Sequence, residues 1–260
     1  MTAAALGAAA LLAAALALSL RFTWWRPRRK GTPVLMYHEV GPHRPGSALN
    51  HWRVPEADFA RQLDLLARRG LRGVALRDLL DRPAEPGRAV LTFDDGYAGV
   101  LLRALPLLRA RGFHATVFVV SGKLGGANDW DGETPGDALL TADGVRALAS
   151  AGIEIGSHGA THRALTELSD AELAEEVAGS RATLERVLGA SVASFCYPYG
   201  AFDDRAVAAV AKAGYRAATV IRGGLSEDLS DPLRIKRISV RGTNTLLDFS
   251  LALTRGRSRL

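Results

Sequence analysis

The chain has 260 residues, of which 48% are hydrophobic, enough for one large globular domain or at most two small ones. Its net charge of +6 could indicate nucleic-acid binding, but residues 1–30 hold five of the positive charges and no negative one, which leaves +1 for the rest. This distribution argues against a nucleic-acid partner, and the single cysteine, Cys196, excludes an internal disulfide and a cysteine-rich zinc site.

The N-terminal segment is hydrophobic and is followed by a basic linker. Residues 3–20 contain no charge, their length just suffices to span a bilayer, and Trp24 and Trp25 suit its aromatic interface. We therefore predict an uncleaved membrane anchor with its linker over residues 1–30. A cleaved signal peptide, which usually begins with a basic region that is missing here, and a buried helix are the alternatives.

From residue 31 onward, strand-like apolar runs alternate with helical patterns. The predicted strands cover residues 32–40, 89–93, 114–120, 153–158, 192–200 and 216–221. The predicted helices cover residues 55–70, 101–112, 141–152, 169–189 and 203–215. This alternation predicts a parallel sheet covered by helices, in which functional residues collect at the carboxyl ends of the strands.

Two adjacent aspartates, Asp94 and Asp95, follow one of these strands and precede Gly96. Neighbouring side chains of a strand point to opposite faces, but a turn at the glycine would let both reach one site. One carboxylate could then bind a metal while the other acts as a general base toward an attacking water. The alternative is an ordinary turn without a chemical role.

Two histidines, His158 and His162, stand four residues apart at the end of another predicted strand. Because Gly159 lies in the loop between them, both imidazoles can converge on one point. With one carboxylate of the aspartate pair they form a set that suits zinc or another first-row divalent ion and leaves positions open for water or substrate.

Three motifs occur in the order and spacing of a known family: TFDDGY at 92–97, SHGATH at 157–162 and YPYG at 197–200. In these motifs the chain resembles the polysaccharide deacetylase family, also called NodB-homology or carbohydrate esterase family 4. The resemblance covers about residues 32–242 and implies an α/β fold, a distorted (β/α) barrel, here preceded by the N-terminal hydrophobic helix. It assigns residues 31–260 to the deacetylase domain.

The resemblance also implies a function and a cofactor. Members of the family remove N- or O-acetyl groups from sugars with a divalent metal ion, often zinc. On the matching positions, Asp94 is the expected general base, and Asp95, His158 and His162 are the expected ligands of a divalent ion, which we expect to be Zn²⁺.

The third motif and a polar segment are expected to contact the substrate. By the same resemblance, Pro198 and Tyr199 form a turn that binds substrate, and the Tyr199 backbone N–H helps to hold the oxyanion. Trp130, in the polar segment at 125–133, could stack on a sugar ring, or it could simply cap the barrel.

The chain departs from the commonest family pattern at two positions. Many members carry an arginine two residues before the proline of the third motif, where it orients the base, but Cys196 stands there in this chain. Many also use a late histidine as general acid, but no histidine follows His162. A subgroup similar to poly-N-acetylglucosamine deacetylases shares a YH strand and an F-x-YPYG motif, and on this resemblance His38 is the expected acid.

The predicted function is therefore metal-dependent hydrolysis of N-acetyl groups on an amino-sugar polysaccharide or oligosaccharide, such as poly-N-acetylglucosamine, chitin or a cell-wall glycan. A non-catalytic glycan-binding domain and a two-histidine, one-carboxylate iron oxygenase are the alternatives. The polysaccharide substrate favours a membrane-anchored domain outside the cytoplasm, or a secreted one if the N-terminus is cleaved. The basic linker favours the opposite orientation, and the sequence does not indicate an oligomeric state.

Overall fold

The computed structural model describes residues 3–22, 25–82, 85–132, 135–221, 223–226 and 229–257. The strands in this part of the chain are β1 Val34–Tyr37, β2 Glu39–Val40, β3 Arg53–Val54, β4 Arg72–Val74, β5 Arg88–Phe93, β6 Thr116–Val119, β7 Glu154–Ser157, β8 Ser194–Cys196, β9 Ala217–Val220, β10 Ile235–Lys236 and β11 Ile238–Ser239. The α-helices are α1 Ala3–Arg21, α2 Glu56–Arg68, α3 Leu76–Asp81, α4 Leu105–Arg109, α5 Ala142–Ser150, α6 Asp170–Ala174, α7 Ser180–Leu188, α8 Asp204–Lys212 and α9 Leu246–Arg255.

Nine of these strands form one parallel sheet, and eight of them curve into a nearly closed barrel. They lie in the order β11, β1, β5, β6, β7, β8, β9, β10, and β4 pairs with the beginning of β5. The two edge strands, β10 and β11, are separated in sequence by Arg237 alone. The edges of the sheet therefore meet at this residue, and we call this place the barrel seam.

The sequence patterns predicted the main elements correctly. The apolar residues of α2 that share one helical face, Phe59, Leu63 and Leu66, are fully buried. Ser169 and Glu172 make the predicted capping box at the start of α6. The predicted first strand is interrupted at His38, which separates β1 from β2.

Two of the helices contain a wide π turn. One π turn covers Val100–Ala104 and leads directly into α4, so Pro106 lies within the first turn of α4. The other covers Glu175–Gly179 and joins α6 to α7. Single π turns inside α-helices are rare and are often found at functional sites.

The prediction of a membrane-spanning helix over residues 3–20 is not confirmed. Residues 3–21 do form a helix, α1, in which Leu11 and Leu12 are exposed. Most of its residues are alanine, which has less apolar surface than leucine to remove from water. No helix in the described part of the chain is long and apolar enough to cross a bilayer. Trp24, part of the predicted anchor, lies outside the described residues.

Candidate active site

Backbone strain is concentrated in the three loops that the sequence motifs identified. Among the described residues, only Asp95, His162 and Tyr199 combine a side chain with a positive φ, at 71°, 65° and 57°. Residues with a Cβ rarely adopt this conformation, and it costs about 1–3 kcal/mol per residue. Each of the three belongs to a different motif, and each was predicted as a site residue. The surrounding structure must therefore hold these loops in place.

The turn after β5 explains how two adjacent carboxylates reach one site. The Asp94 N–H still donates to the carbonyl of Tyr37 at 2.9 Å, as a strand residue would. The chain then turns through two positive φ values, at Asp95 and at Gly96. Because of this turn, the Asp95 side chain faces the histidines, while the Asp94 side chain faces the barrel seam.

The three predicted metal ligands converge as expected. Oδ1 of Asp95 lies 3.3 Å from Nε2 of His158 and 3.3 Å from Nε2 of His162. All three residues are buried. In a tetrahedral zinc site with bonds of about 2.0–2.1 Å, neighbouring ligand atoms are about 3.3–3.4 Å apart. The residues present therefore fit a divalent ion with one open position.

The hydrogen bonds of His158 leave the correct nitrogen free for a metal. Its Nδ1 lies 2.8 Å from the carbonyl oxygen of Cys196. A carbonyl only accepts, so Nδ1 carries a hydrogen, and Nε2, which faces Asp95, is the nitrogen that would bind a metal. His162 instead is oriented by ring packing, with Trp130 stacked on it at 4.4 Å and Tyr199 edge-on at 4.5 Å between ring centroids.

The charge of Asp95 is stabilised inside the protein. Burial alone raises the pKa of Asp95, but hydrogen bonds from His158 and His162 outweigh this effect and hold the pKa well below its usual range. The carboxylate is therefore ionised, as a metal ligand must be.

A second group of potential ligands, Asp94, His158 and Cys196, shares one histidine with the first. A cation already occupies this neighbourhood, since Nη2 of Arg237 lies 3.1 Å from the Cys196 sulfur and 2.7 Å from Oδ2 of Asp94. Its charge repels a metal ion, so the group around Asp95 is the better candidate.

The strongest interaction of Asp94 is with an arginine that the sequence analysis did not identify. Nη1 and Nη2 of Arg237 donate to the two carboxylate oxygens at 2.6 and 2.7 Å, and Nη1 also donates to Oγ1 of Thr92 at 3.0 Å. Arg237 is fully buried at the barrel seam. It provides the planar, two-pronged contact that guanidinium groups make with carboxylates.

Arg237 thus gives Asp94 an arginine partner although position 196 is a cysteine. The Cys196 side chain lies beside the ion pair, 3.5 Å from Asp94 Oδ2, and its small volume leaves room for the guanidinium. One weak sequence signal was available, because in an extended chain Arg237 shares a face with apolar Ile235 of the LRIKRISV segment.

The ion pair sets the charge of Asp94. Burial raises the pKa of Asp94, but the charge and the hydrogen bonds of Arg237 outweigh burial and lower the pKa below its usual range. Asp94 is therefore ionised over the whole neutral pH range and can accept a proton.

His38 lies within electrostatic reach of the site. Its ring packs against Trp52 with centroids 4.3 Å apart, and its buried Nδ1 has no hydrogen-bond partner among the residues that the structure describes. Burial lowers the pKa of His38, and the charges of Asp95 and Asp94 oppose that shift only in part. The resting imidazole is therefore neutral near pH 7.

Comparison with known proteins agrees with these motifs. The sequence model of the family described as polysaccharide deacetylase matches residues 81–218, which is more than half of the chain. The chain belongs to the polysaccharide deacetylase family. It is therefore a hydrolase of the carbohydrate-deacetylating type, as the sequence motifs predicted.

Individual relatives support the same family. The deacetylase is 27% identical over 202 residues to YxkH of Bacillus subtilis, and the match covers 75% of this chain and 67% of YxkH. The assignment of YxkH as a polysaccharide deacetylase is itself provisional. The crystal structure of BA0330 of Bacillus anthracis, with the same provisional assignment, has a TM-score of 0.74 at 25% identity and covers 86% of this chain and 69% of its own. IcaB of Ammonifex degensii shares the fold, with a TM-score of 0.73 at 23% identity over 88% of this chain and 97% of its own.

Substitution of the two aspartates of the deacetylase should impair different properties, metal binding for Asp95 and turnover for Asp94. Asp95→Asn removes a charged ligand, so we expect metal binding to weaken. Asp94→Asn should keep the metal and reduce acetate release by about 10²–10⁴-fold, the usual contribution of a positioned base. Metal content by atomic absorption and turnover would be measured on both variants. Equal loss of metal from both would contradict this division of roles.

The Arg237 contact should appear in the pH profile of the deacetylase. Arg237→Lys keeps the charge but cannot make both hydrogen bonds, so the pKa of Asp94 should rise. Because Asp94 accepts a proton only when ionised, kcat/KM should then be lost at a higher pH as the solution is acidified. Arg234→Lys, at a partly exposed arginine beside β10, is the control. If kcat/KM is lost at the same pH in the two variants as the solution is acidified, Arg237 does not act on Asp94.

Proposed function

We propose that this deacetylase hydrolyses the acetamide group of N-acetylated amino sugars in a glycan and depends on one divalent metal ion, most simply Zn²⁺. The observation that supports this most directly is the side-by-side placement of two differently stabilised aspartates. Asp95 converges with two histidines in a set that fits a metal, while Asp94 is kept ionised by Arg237 next to that set. Amide hydrolysis needs a group that polarises the carbonyl, such as a metal ion, and a base next to it that accepts a proton from the attacking water.

Each group of the site would have a separate task. A divalent ion held by Asp95, His158 and His162 would polarise the acetyl carbonyl and acidify a water. Asp94 would accept the proton of the attacking water, and the fixed guanidinium of Arg237 would keep its carboxylate in one orientation. The backbone N–H at Tyr199 would donate to the oxyanion. Tyr199 has a positive φ of 57°, an uncommon conformation that is often found at functional sites.

The non-catalytic alternative rested on two departures from the family pattern, the missing arginine and the missing late histidine. Arg237 weakens the first argument, because it gives Asp94 an arginine partner from the barrel seam. The remaining departure is the general acid, which we assign to His38. A protonated Asp94 beside Arg237 is strongly acidic, so the neutral imidazole of His38 could receive its proton and pass it to the leaving nitrogen.

Aromatic side chains at the mouth of the site could hold the sugar. Tyr199 is 51% exposed, and Trp130 is partly exposed and stacked on His162. Apolar faces of sugar rings pack on such rings. Pro198 is buried below them, 3.6 Å from where a Cβ on Gly159 would lie, and supports the turn rather than facing solvent.

The role of His38 can be tested with two substrates. His38→Ala should slow acetate release from an N-acetyl sugar by about 10²–10⁴-fold, because a departing amine must be protonated. Hydrolysis of an aryl acetate should slow much less, because its leaving group needs little protonation. Both rates and the metal content would be measured on one preparation.

A matched control is available for this variant. His51→Ala alters a histidine that packs on the same Trp52 ring, at 4.6 Å between centroids, and should leave both rates nearly unchanged. Equal losses on the amide and the ester in His38→Ala would show that His38 supports the site's structure instead of acting as the acid.

The function as a whole is tested by acetate release from N-acetylglucosamine oligomers. The purified protein should lose activity when a chelator removes the metal and regain it when one equivalent of Zn²⁺ is added. Release that persists in the metal-free protein would contradict the metal-dependent mechanism. Failure on every N-acetylated glycan, with a full metal site, would contradict the substrate class.

We also propose that the deacetylase works outside the cytoplasm, because polysaccharides of this kind lie outside the membrane. Added protease should then degrade the protein on intact cells. Protection of the protein until the cells are lysed would overturn this location.

A further inference from the structure

The loop between the two metal-binding histidines is held by a buried carboxylate that the mechanism does not use. Glu176 is 4% exposed, and its oxygens face residues 159–161. Oε2 accepts the N–H of Ala160 at 2.8 Å and that of Thr161 at 3.0 Å, and Oε1 accepts the hydroxyl of Thr161. A carboxylate out of water is tolerated only when such donors satisfy it.

The other side of the same loop is fixed as well. The carbonyl oxygens of Gly159 and Ala160 accept the N–H groups of Ser121 and Gly122 at 3.0 and 2.8 Å. The middle of the loop is therefore bound on both sides, by Glu176 and by the chain that follows β6. His158 and His162 lie at the two ends of this fixed segment.

The fit between Glu176 and the loop requires a glycine. Gly159 has a φ of 80°, and a Cβ at this position would lie only 2.7 Å from Oε2 of Glu176. Glu176 itself belongs to the π turn Glu175–Gly179, in which Glu176 and Val177 are consecutive and both buried. The wide turn and the glycine together bring the carboxylate against the loop backbone.

We infer that Glu176 is a positioning residue that holds the loop at 159–161 in its metal-binding conformation before the metal arrives. His162 is strained, with a φ of 65°, so an isolated loop would relax to a more common backbone conformation and carry the imidazole away from Asp95. The hydrogen bonds that the loop donates to Glu176 oppose that relaxation. The inference rests on the proposed function only in taking Asp95, His158 and His162 as the metal ligands.

The experiment compares Glu176→Gln with Glu175→Gln in the full chain. Glutamine has the size of glutamate but carries no charge and has only one acceptor oxygen, whereas Glu176 uses both of its oxygens, so the hold on the loop is weakened with little change of volume. Glu175 is the exposed neighbour on the same π turn and serves as the matched control. Zn²⁺ affinity would be measured by competition with a chromophoric chelator, and amide hydrogen exchange would be measured on the metal-free proteins.

Glu176→Gln should bind Zn²⁺ about 10–100-fold more weakly than the wild type, the usual effect of removing a group that orients metal ligands. Exchange should become faster at residues 158–162 and stay unchanged in distant strands, which a general loss of stability would not produce. Glu175→Gln should match the wild type in both measurements. Equal Zn²⁺ affinity and equal exchange in the two variants would overturn the inference.

A milder change covers the case in which Glu176→Gln does not fold. Thr161→Val removes only the hydroxyl that donates to Glu176 and should weaken Zn²⁺ binding severalfold with faster exchange at residues 158–162; wild-type values would overturn the inference. A wild-type protein that binds no Zn²⁺ would instead contradict the proposed metal site. In that case the exchange data alone would decide whether Glu176 holds the loop.

Discussion

The ion pair between Arg237 and Asp94 connects the closure of the barrel to the chemistry of the site. Arg237 lies between the two edge strands of the sheet. Asp94 directly follows β5 and lies 143 residues earlier in the chain. When the edges of the sheet meet, a buried guanidinium and a buried carboxylate neutralise each other. Removing one partner would leave an uncompensated buried charge, which typically costs about 3–5 kcal/mol. The stability of the barrel and the orientation of the Asp94 carboxylate therefore depend on the same contact.

Two of the three strained loops of the site are held by contacts with rigid structure. The turn at Asp95 begins with a strand-type hydrogen bond from Asp94 to β1, and its glycine provides the second positive φ. Glu176 and the chain after β6 hold the loop before His162. These supports explain how unfavourable φ values persist at Asp95 and His162. They also mean that the ligands lie close to their working positions without the metal.

The sequence alone predicted what depends on short-range patterns. Apolar runs predicted the order of most strands and helices, and the motifs at Asp94–Asp95 and His158–His162 predicted the candidate metal-binding group, because residues at strand ends converge in any parallel barrel. Arg237 was missed because its contact joins residues 143 positions apart and depends on how the barrel closes. Strands β10 and β11 are two residues each, too short to show a period. Glu176 was missed because a π turn, which no pattern revealed, orients it.

The central claim is that one metal ion binds at Asp95, His158 and His162 while Asp94 remains paired with Arg237. A crystal structure of the Zn²⁺-loaded protein, with the ion located by its anomalous scattering, tests this most directly. The account predicts a single peak bounded by Oδ1 of Asp95 and Nε2 of both histidines, with both hydrogen bonds from Arg237 to Asp94 intact. A peak among Asp94, His158 and Cys196, with the Arg237 side chain displaced, would contradict it.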